Sequence, residues 1–237
     1  MSVTKDLANE LLSELTCENV FTIPLLGIPV KESVVVTWII MAAFTLLCIV
    51  LVRNLKVENP GKRQLLLESA VTSLNGMFEN MLGENGREYV TYMGAVLIYI
   101  GISNIIGIVG FKPPTKDLNV TAALALMSIV LIEAAGIRKK GLKKWLKSFA
   151  EPIPIILPIN ILEIFIRPLS LCMRLFGNVV GAFVVMKLIE KLLPVALPIP
   201  FSLYFDIFDG FIQAYVFVFL TSLFIKEAVE KRQRRKK

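Results

Sequence analysis

Arg174 lies inside the longest apolar stretch of the chain, Pro152 to Leu193, and shares a polar stripe with Asn160, Glu163, Arg167, Ser170, Asn178 and Gly181. Their spacings of three or four residues put them on one face of a helix, while leucine, isoleucine, phenylalanine and valine fill the others. A guanidinium stays charged at any biological pH, and one near the middle of a bilayer costs roughly 2.5–3.5 kcal/mol on insertion scales. Charges placed there mark ion pathways, counter-ions or tight pairs. For Glu163 and Arg167, four residues apart, a structural pair is the plainer alternative. Arg174 has no acid three or four positions away. A fixed arginine is a poor proton relay, but it attracts a carboxylate on another body, holds it ionised, and repels a cation leaking past.

A second stripe, Asp206, Asp209 or Gly210, and Gln213, lies in the last apolar segment. The simplest geometry lets it meet the first, with Gln213 near Arg174 and Asp206 nearer the outer mouth. For both aspartates the alternative is helix-start chemistry, since acids favour the first turn. Ser103 and Asn104, flanked by Gly101 and Gly107, are the one strongly polar pair of another apolar segment, and helix-packing glue is their alternative.

The elements that must hold these residues are membrane spans. With 55% apolar residues among 237 and a mean hydropathy of +0.69, the chain belongs in a bilayer. The reading is an all-α integral membrane protein with about five transmembrane helices, at 34–52, 90–110, 118–137, 153–193 and 201–225, in a single domain. The segment 65–82 carries Leu67, Ala70, Leu74, Met77, Phe78 and Met81 on one face and polar residues on the rest, so it is expected to lie in the interface. Small residues in the third span, Ala122 to Gly136, suit close helix contact in lipid. The fourth span would be about 60 Å long, twice the hydrocarbon thickness, and is expected to be strongly tilted or bent near Pro168.

Lysine and arginine cluster after the first span, after the third (Arg138 to Lys147) and in the tail 226–237. All three clusters favour the cytoplasm, which leaves residues 1–33 as an extracytoplasmic segment. The polar, acidic run 1–22 lacks the makeup of a signal peptide. Basic residues confined to short loops argue topology rather than nucleic-acid binding. Cys17, Cys48 and Cys172 show no metal spacing. Histidine is absent, so proton chemistry must use carboxylates or water. There is no phosphate loop, no metal cluster and no nucleophile beside a base, so neither an enzyme acting alone nor a bound cofactor is expected.

The run Arg167 to Asn178, RPLSLCMRLFGN, resembles the signature of subunit a of the F-type ATP synthase membrane sector. So do Pro158-Ile159-Asn160 with Ile161-Leu162-Glu163, Ile212 to Phe217, and Ser103-Asn104. The resemblance implies an ion-translocating stator, not catalytic alone, in the cell membrane. Its implied partners are a ring of c subunits, the b-subunit peripheral stalk and the rest of the synthase. Arg174 would face the ring with Asn178 and Gln213 beside it and separate two half-channels for protons or sodium ions. Glu163 and Arg167 would belong to the cytoplasmic half-channel, Asp206 and Asn104 to the outer one. Ser170, on the same stripe, joins the ion-translocation set. The chain departs from the best-known bacterial pattern, with Phe183 where many relatives carry an acid and Asp206 where they carry a histidine. Lys187 is expected to snorkel from a helix end. A secondary ion-coupled transporter and a structural membrane scaffold are the alternatives.

Overall fold

The computed structural model describes residues 19–23, 28–57, 60–109, 111–149, 155, 157–192, 200–201 and 203–230. Cys17 and the acidic start of the chain lie outside the described residues, as does the basic tail from 231 onwards. The elements are β1 (Asn19–Ile23), β2 (Ile28–Lys31), α1 (Glu32–Val52), α2 (Lys62–Leu82), α3 (Val90–Ile105), α4 (Leu118–Lys140), α5 (Leu142–Ser148), α6 (Leu157–Leu192) and α7 (Gly210–Glu230). Short 3₁₀ turns extend α3 over Ile106–Val109 and precede α4 at Pro114–Lys116, and a π-helical turn, Leu203–Asp209, runs into α7.

The long helices follow from composition. In lipid every backbone N–H and C=O must be satisfied within the chain, and a helix does this by itself. Four helical runs, Glu32–Val52, Leu118–Lys140, Leu157–Ile189 and Leu203–Val229, are long and apolar enough to cross a membrane. The second expected span, 90–110, is the 16-residue α3 with its 3₁₀ extension. In α1 the buried residues are Ser33, Val36 and Ile40, and apolar side chains such as Trp38, Leu46 and Val50 are exposed. Such a surface is stable only against lipid or a partner.

α2 buries Phe78 and Leu82, and leaves Leu65, Leu66 and Val71 exposed. α6 is one helix of 36 residues with Pro168 inside it. At about 1.5 Å per residue it is roughly 54 Å long, more than a hydrocarbon core accommodates upright. Pro168 brings no N–H, so the Ile164 carbonyl loses its helical donor, a local weakening that the long helix absorbs.

The β1–β2 hairpin was not expected from the sequence. It pairs antiparallel, Asn19 opposite Lys31 and Ile23 opposite Ile28, with a register irregularity between Asn19 and Phe21. Its runs, Asn-Val-Phe-Thr-Ile and Ile-Pro-Val-Lys, are short and rich in β-branched residues, a signal that the neighbouring apolar span overshadowed.

The chain divides into two compact units, each assembled from three separate stretches. One comprises Met1–Met41, Tyr99–Leu124 and Leu171–Ala214; the other comprises Ala42–Ile98, Ala125–Ser170 and Tyr215–Lys237.

In the first unit Asp117, at the start of α4, is the tie. It accepts a 2.7 Å hydrogen bond from Ser33 Oγ of α1 and a 3.0 Å bond from the Asn119 N–H, and Lys31 Nζ of β2 lies 3.5 Å away. Burial raises the pKa of this carboxyl, but these donors outweigh it and leave Asp117 below the usual carboxylate value.

In the second unit Gly141, at φ 78°, caps α4 in the left-handed region that glycine tolerates. The chain then turns into α5, whose Trp145 donates Nε1–H to Glu133 at 2.8 Å and meets Phe149 edge-on at 4.8 Å.

Candidate functional site

Each unit contains a polar-lined cavity, and the exposed face of α6 carries Arg174. In the first unit the cavity is about 380 Å³ and is lined by Asn104, Asn178 and Gln213, by Lys112, Lys116 and Lys187, and by Asp209. Asn178 Nδ2 donates to Gln213 Oε1 at 2.9 Å, so the two amides expected beside the arginine meet one another. Gln213 is only 4% exposed, and its Nε2 has no hydrogen-bond partner among the described residues.

Asn104 is buried and bonded at both ends of its amide. It donates Nδ2–H to the Gly210 carbonyl at 3.0 Å and accepts from Thr115 Oγ1 at 2.8 Å. It is therefore both packing glue and cavity wall, which merges the two readings the sequence left open. A Cβ on Gly210 would stand 2.8 Å from the Asn104 Cβ, so only glycine lets α7 come this close.

Phe183, noted above as a departure from the family pattern, takes the Lys116 ammonium over its ring at 3.3 Å, with Lys187 Nζ 5.9 Å from the same ring. Lys116 is 3% exposed. Lys187 thus turns toward the cavity and the ring, a more specific placement than a helix-end snorkel.

In the second unit a smaller cavity, about 60 Å³, is lined by Glu133, Asn160, Glu163, Arg167 and Glu227 among others. Arg167 donates to Glu163 at 2.8 Å and to Glu227 at 3.3 Å, and stacks over Phe224 at 4.8 Å. The i,i+4 pair read from sequence is therefore real, and it is part of a larger cluster. Asn160 donates Nδ2–H to the Phe149 carbonyl at 2.7 Å, fastening α6 to the end of α5.

Arg174 stands apart. On α6 its neighbours Leu171, Cys172 and Leu175 are buried on one side, while Arg174 is exposed among exposed Leu169, Ser170, Met173 and Gly177. Among the described residues it makes no hydrogen bond or ion pair. It makes no hydrogen bond to Gln213, whose Oε1 is taken by Asn178. Ser170 is exposed on the same face. The side chain of Asp206 lies outside the described residues.

Sequence reasoning missed Glu227 and Glu133, and left Asp209 open between the second polar stripe and a helix-start acid. A signal for Glu227 existed: it follows Gln213 by fourteen residues, close to four helical turns. Asp209 sits at the end of a π-helical turn that continues into α7, so it is not at a free helix start.

An unpaired arginine on the apolar face of a membrane helix, with amide- and charge-lined cavities in each unit, defines a multi-pass membrane protein built to handle ions. The comparisons name the kind. The family model for the ATP synthase A chain matches residues 34–226, and the chain belongs to that family. It is similar to ATP synthase subunit a 2 of a Bradyrhizobium species, 37% identical over 203 residues covering 85% of this chain and 90% of the relative. It is also similar to ATP synthase subunit a of Moorella thermoacetica, 36% identical with 85% and 92% covered. A sodium-ion-specific ATP synthase subunit a of Propionigenium modestum is 33% identical, with 86% and 75% covered. The matches give no support to the transporter alternative.

Proposed function

We propose that Arg174, with Asn178 and Gln213 beside it, keeps apart two ion half-channels, an outer one at Asn104 and a cytoplasmic one at Glu163 and Arg167. The chain is the ion-translocating stator subunit of a rotary ATP synthase, a non-catalytic part of that complex. The observation that carries the reading is Arg174 itself. A charge left unpaired on an apolar, outward face must find its counter-charge on another body, and a ring of c subunits bearing carboxylates supplies one.

An ion enters one half-channel, neutralises a ring carboxylate, rides the turning ring and leaves by the other half-channel. Arg174 holds the returning carboxylate ionised and blocks direct leakage. Asn178 and Gln213 order the approach to it, with Ser170 on the same face, and Asp206 belongs with Asn104 on the outer path. The b-subunit stalk holds the chain against the turning ring. The lysine- and arginine-rich loops put the tail in the cytoplasm of a plasma-membrane protein and the hairpin outside, with α2 lying in the interface.

The test is ATP-driven cation pumping in inverted vesicles with the intact complex, comparing wild type with Arg174→Lys, with and without sodium. Loss of pumping in an assembled complex is expected, because a compact ammonium does not reproduce the planar fork. Retained pumping would reduce Arg174 to a structural residue. Sodium dependence names the ion.

A further inference from the structure

We infer that Asp209 is a proton-relay carboxylate of the first unit's cavity, exchanging protons between the outer water and the partner-ring carboxylate that docks at Arg174. This rests on the stator reading above and adds an acid to it. Asp209 ends the π-helical turn of a helical run that is continuous from Leu203 to Val229. A π turn widens the helix and re-aims the side chains it carries, and such turns recur at functional sites.

The carboxyl of Asp209 is half-buried and lines the cavity, yet among the described residues it makes no hydrogen bond or ion pair. In a membrane-spanning helix such a group is costly unless it meets water or changes protonation as it works.

A second observation points the same way. Gln213, one turn further along, is buried in the same cavity with its Nε2–H groups unpartnered, while its Oε1 accepts from Asn178. Asn178 follows Arg174 by one turn of α6. Asp209, Gln213, Asn178 and Arg174 therefore form a continuous polar line, two steps along helices joined by one hydrogen bond of 2.9 Å. The open donor on Gln213 is where a water bridging to Asp209 would bind.

The charged groups facing Asp209 from other elements are Lys112 and Lys116, from the loop before α4, and Lys187 of α6. Lys112 is paired with Glu32 at 3.2 Å, and the other two share the Phe183 ring.

In the step itself a hydronium ion of the outer water gives up a proton, its O–H bond breaking to leave water, and an O–H bond forms on Asp209, neutralising the carboxylate. That bond then breaks as the ring carboxylate takes the proton, and Asp209 is again charged. Nothing else is consumed.

The test is ATP-driven pumping by the intact complex in inverted vesicles, recorded against lumen pH, for Asp209→Asn, Asp209→Glu and Asp206→Asn, with Arg174→Lys alongside. Asp209→Asn is expected to slow pumping at least about tenfold and flatten its pH profile, as loss of an acid–base group does. Asp209→Glu is expected to keep most of the rate with a shifted profile. Wild-type rate and profile in Asp209→Asn, while Arg174→Lys abolishes pumping, overturns the assignment. So does flattening in Asp206→Asn but not in Asp209→Asn. Pumping that survives Arg174→Lys overturns the underlying stator reading instead. If Asp209→Asn does not assemble, the Asp209→Glu profile decides: a shift upholds the relay, and an unshifted profile overturns it.

Discussion

Charges in this protein divide by what surrounds them. Arg167 is 17% exposed and held by two carboxylates and a phenylalanine, whereas Arg174 is exposed and makes no hydrogen bond or ion pair among the described residues. Glu163 and Glu227 are 49% and 45% exposed, so each pair with Arg167 contributes only about 0–1 kcal/mol, and the cluster matters more for position than for stability. Asp117 is the contrary case, a buried carboxylate with three donors. Because its folded pKa is lowered, the stability it contributes is present above the unfolded value near 3.9 and is lost as pH falls through the folded value. Asp117→Asn is therefore expected to lower the thermal midpoint of the solubilised complex at neutral pH and to weaken its decline below about pH 4. Thermal scans of both forms from pH 7 downward check this; parallel curves would count against it.

Helices position these charges through a few close contacts. α7 approaches α3 at Gly210, where the Asn104 Cβ leaves no room for a methyl group. That Cβ is fixed directly to the α3 backbone, so it cannot rotate aside. Gly210→Ala is expected to cost about 1–3 kcal/mol by overpacking and to weaken the Asn104 bond to the Gly210 carbonyl. Gly101→Ala on α3, which meets nothing within 4 Å, is the control and is expected to be neutral or slightly stabilising. Thermal stability of the two purified complexes separates them; equal losses would show that the contact is not the cause. The α4–α5 turn works similarly, since Gly141 admits the left-handed cap that brings Trp145 to Glu133.

As a whole, the molecule puts apolar surface where a soluble protein would put charge, from Trp38 and Val50 on α1 to Leu169 and Met173 on α6. That surface requires lipid and partner subunits, and the basic loops orient the chain within them. Protease added to inverted vesicles is expected to remove the Lys231–Lys237 tail, and protease added to right-side-out vesicles to spare it. The opposite pattern would reverse the topology and exchange the sides proposed for the two half-channels.

The spans, the polar stripe on α6 and the family signature around Arg174 were legible in the sequence, because lipid imposes one period and one length on any helix crossing it. Glu163 with Arg167 was legible for the same reason, as neighbours on one helix. What lay between elements was not. Helical spacing says which side chains share a face, but not which face of another helix they meet or where a turn widens. Asn178 against Gln213, Lys116 over Phe183, Glu227 on Arg167 and the cavity position of Asp209 all depend on contacts between residues far apart in the chain. Tertiary packing decided these, because it alone fixes the distance and angle at which helices approach.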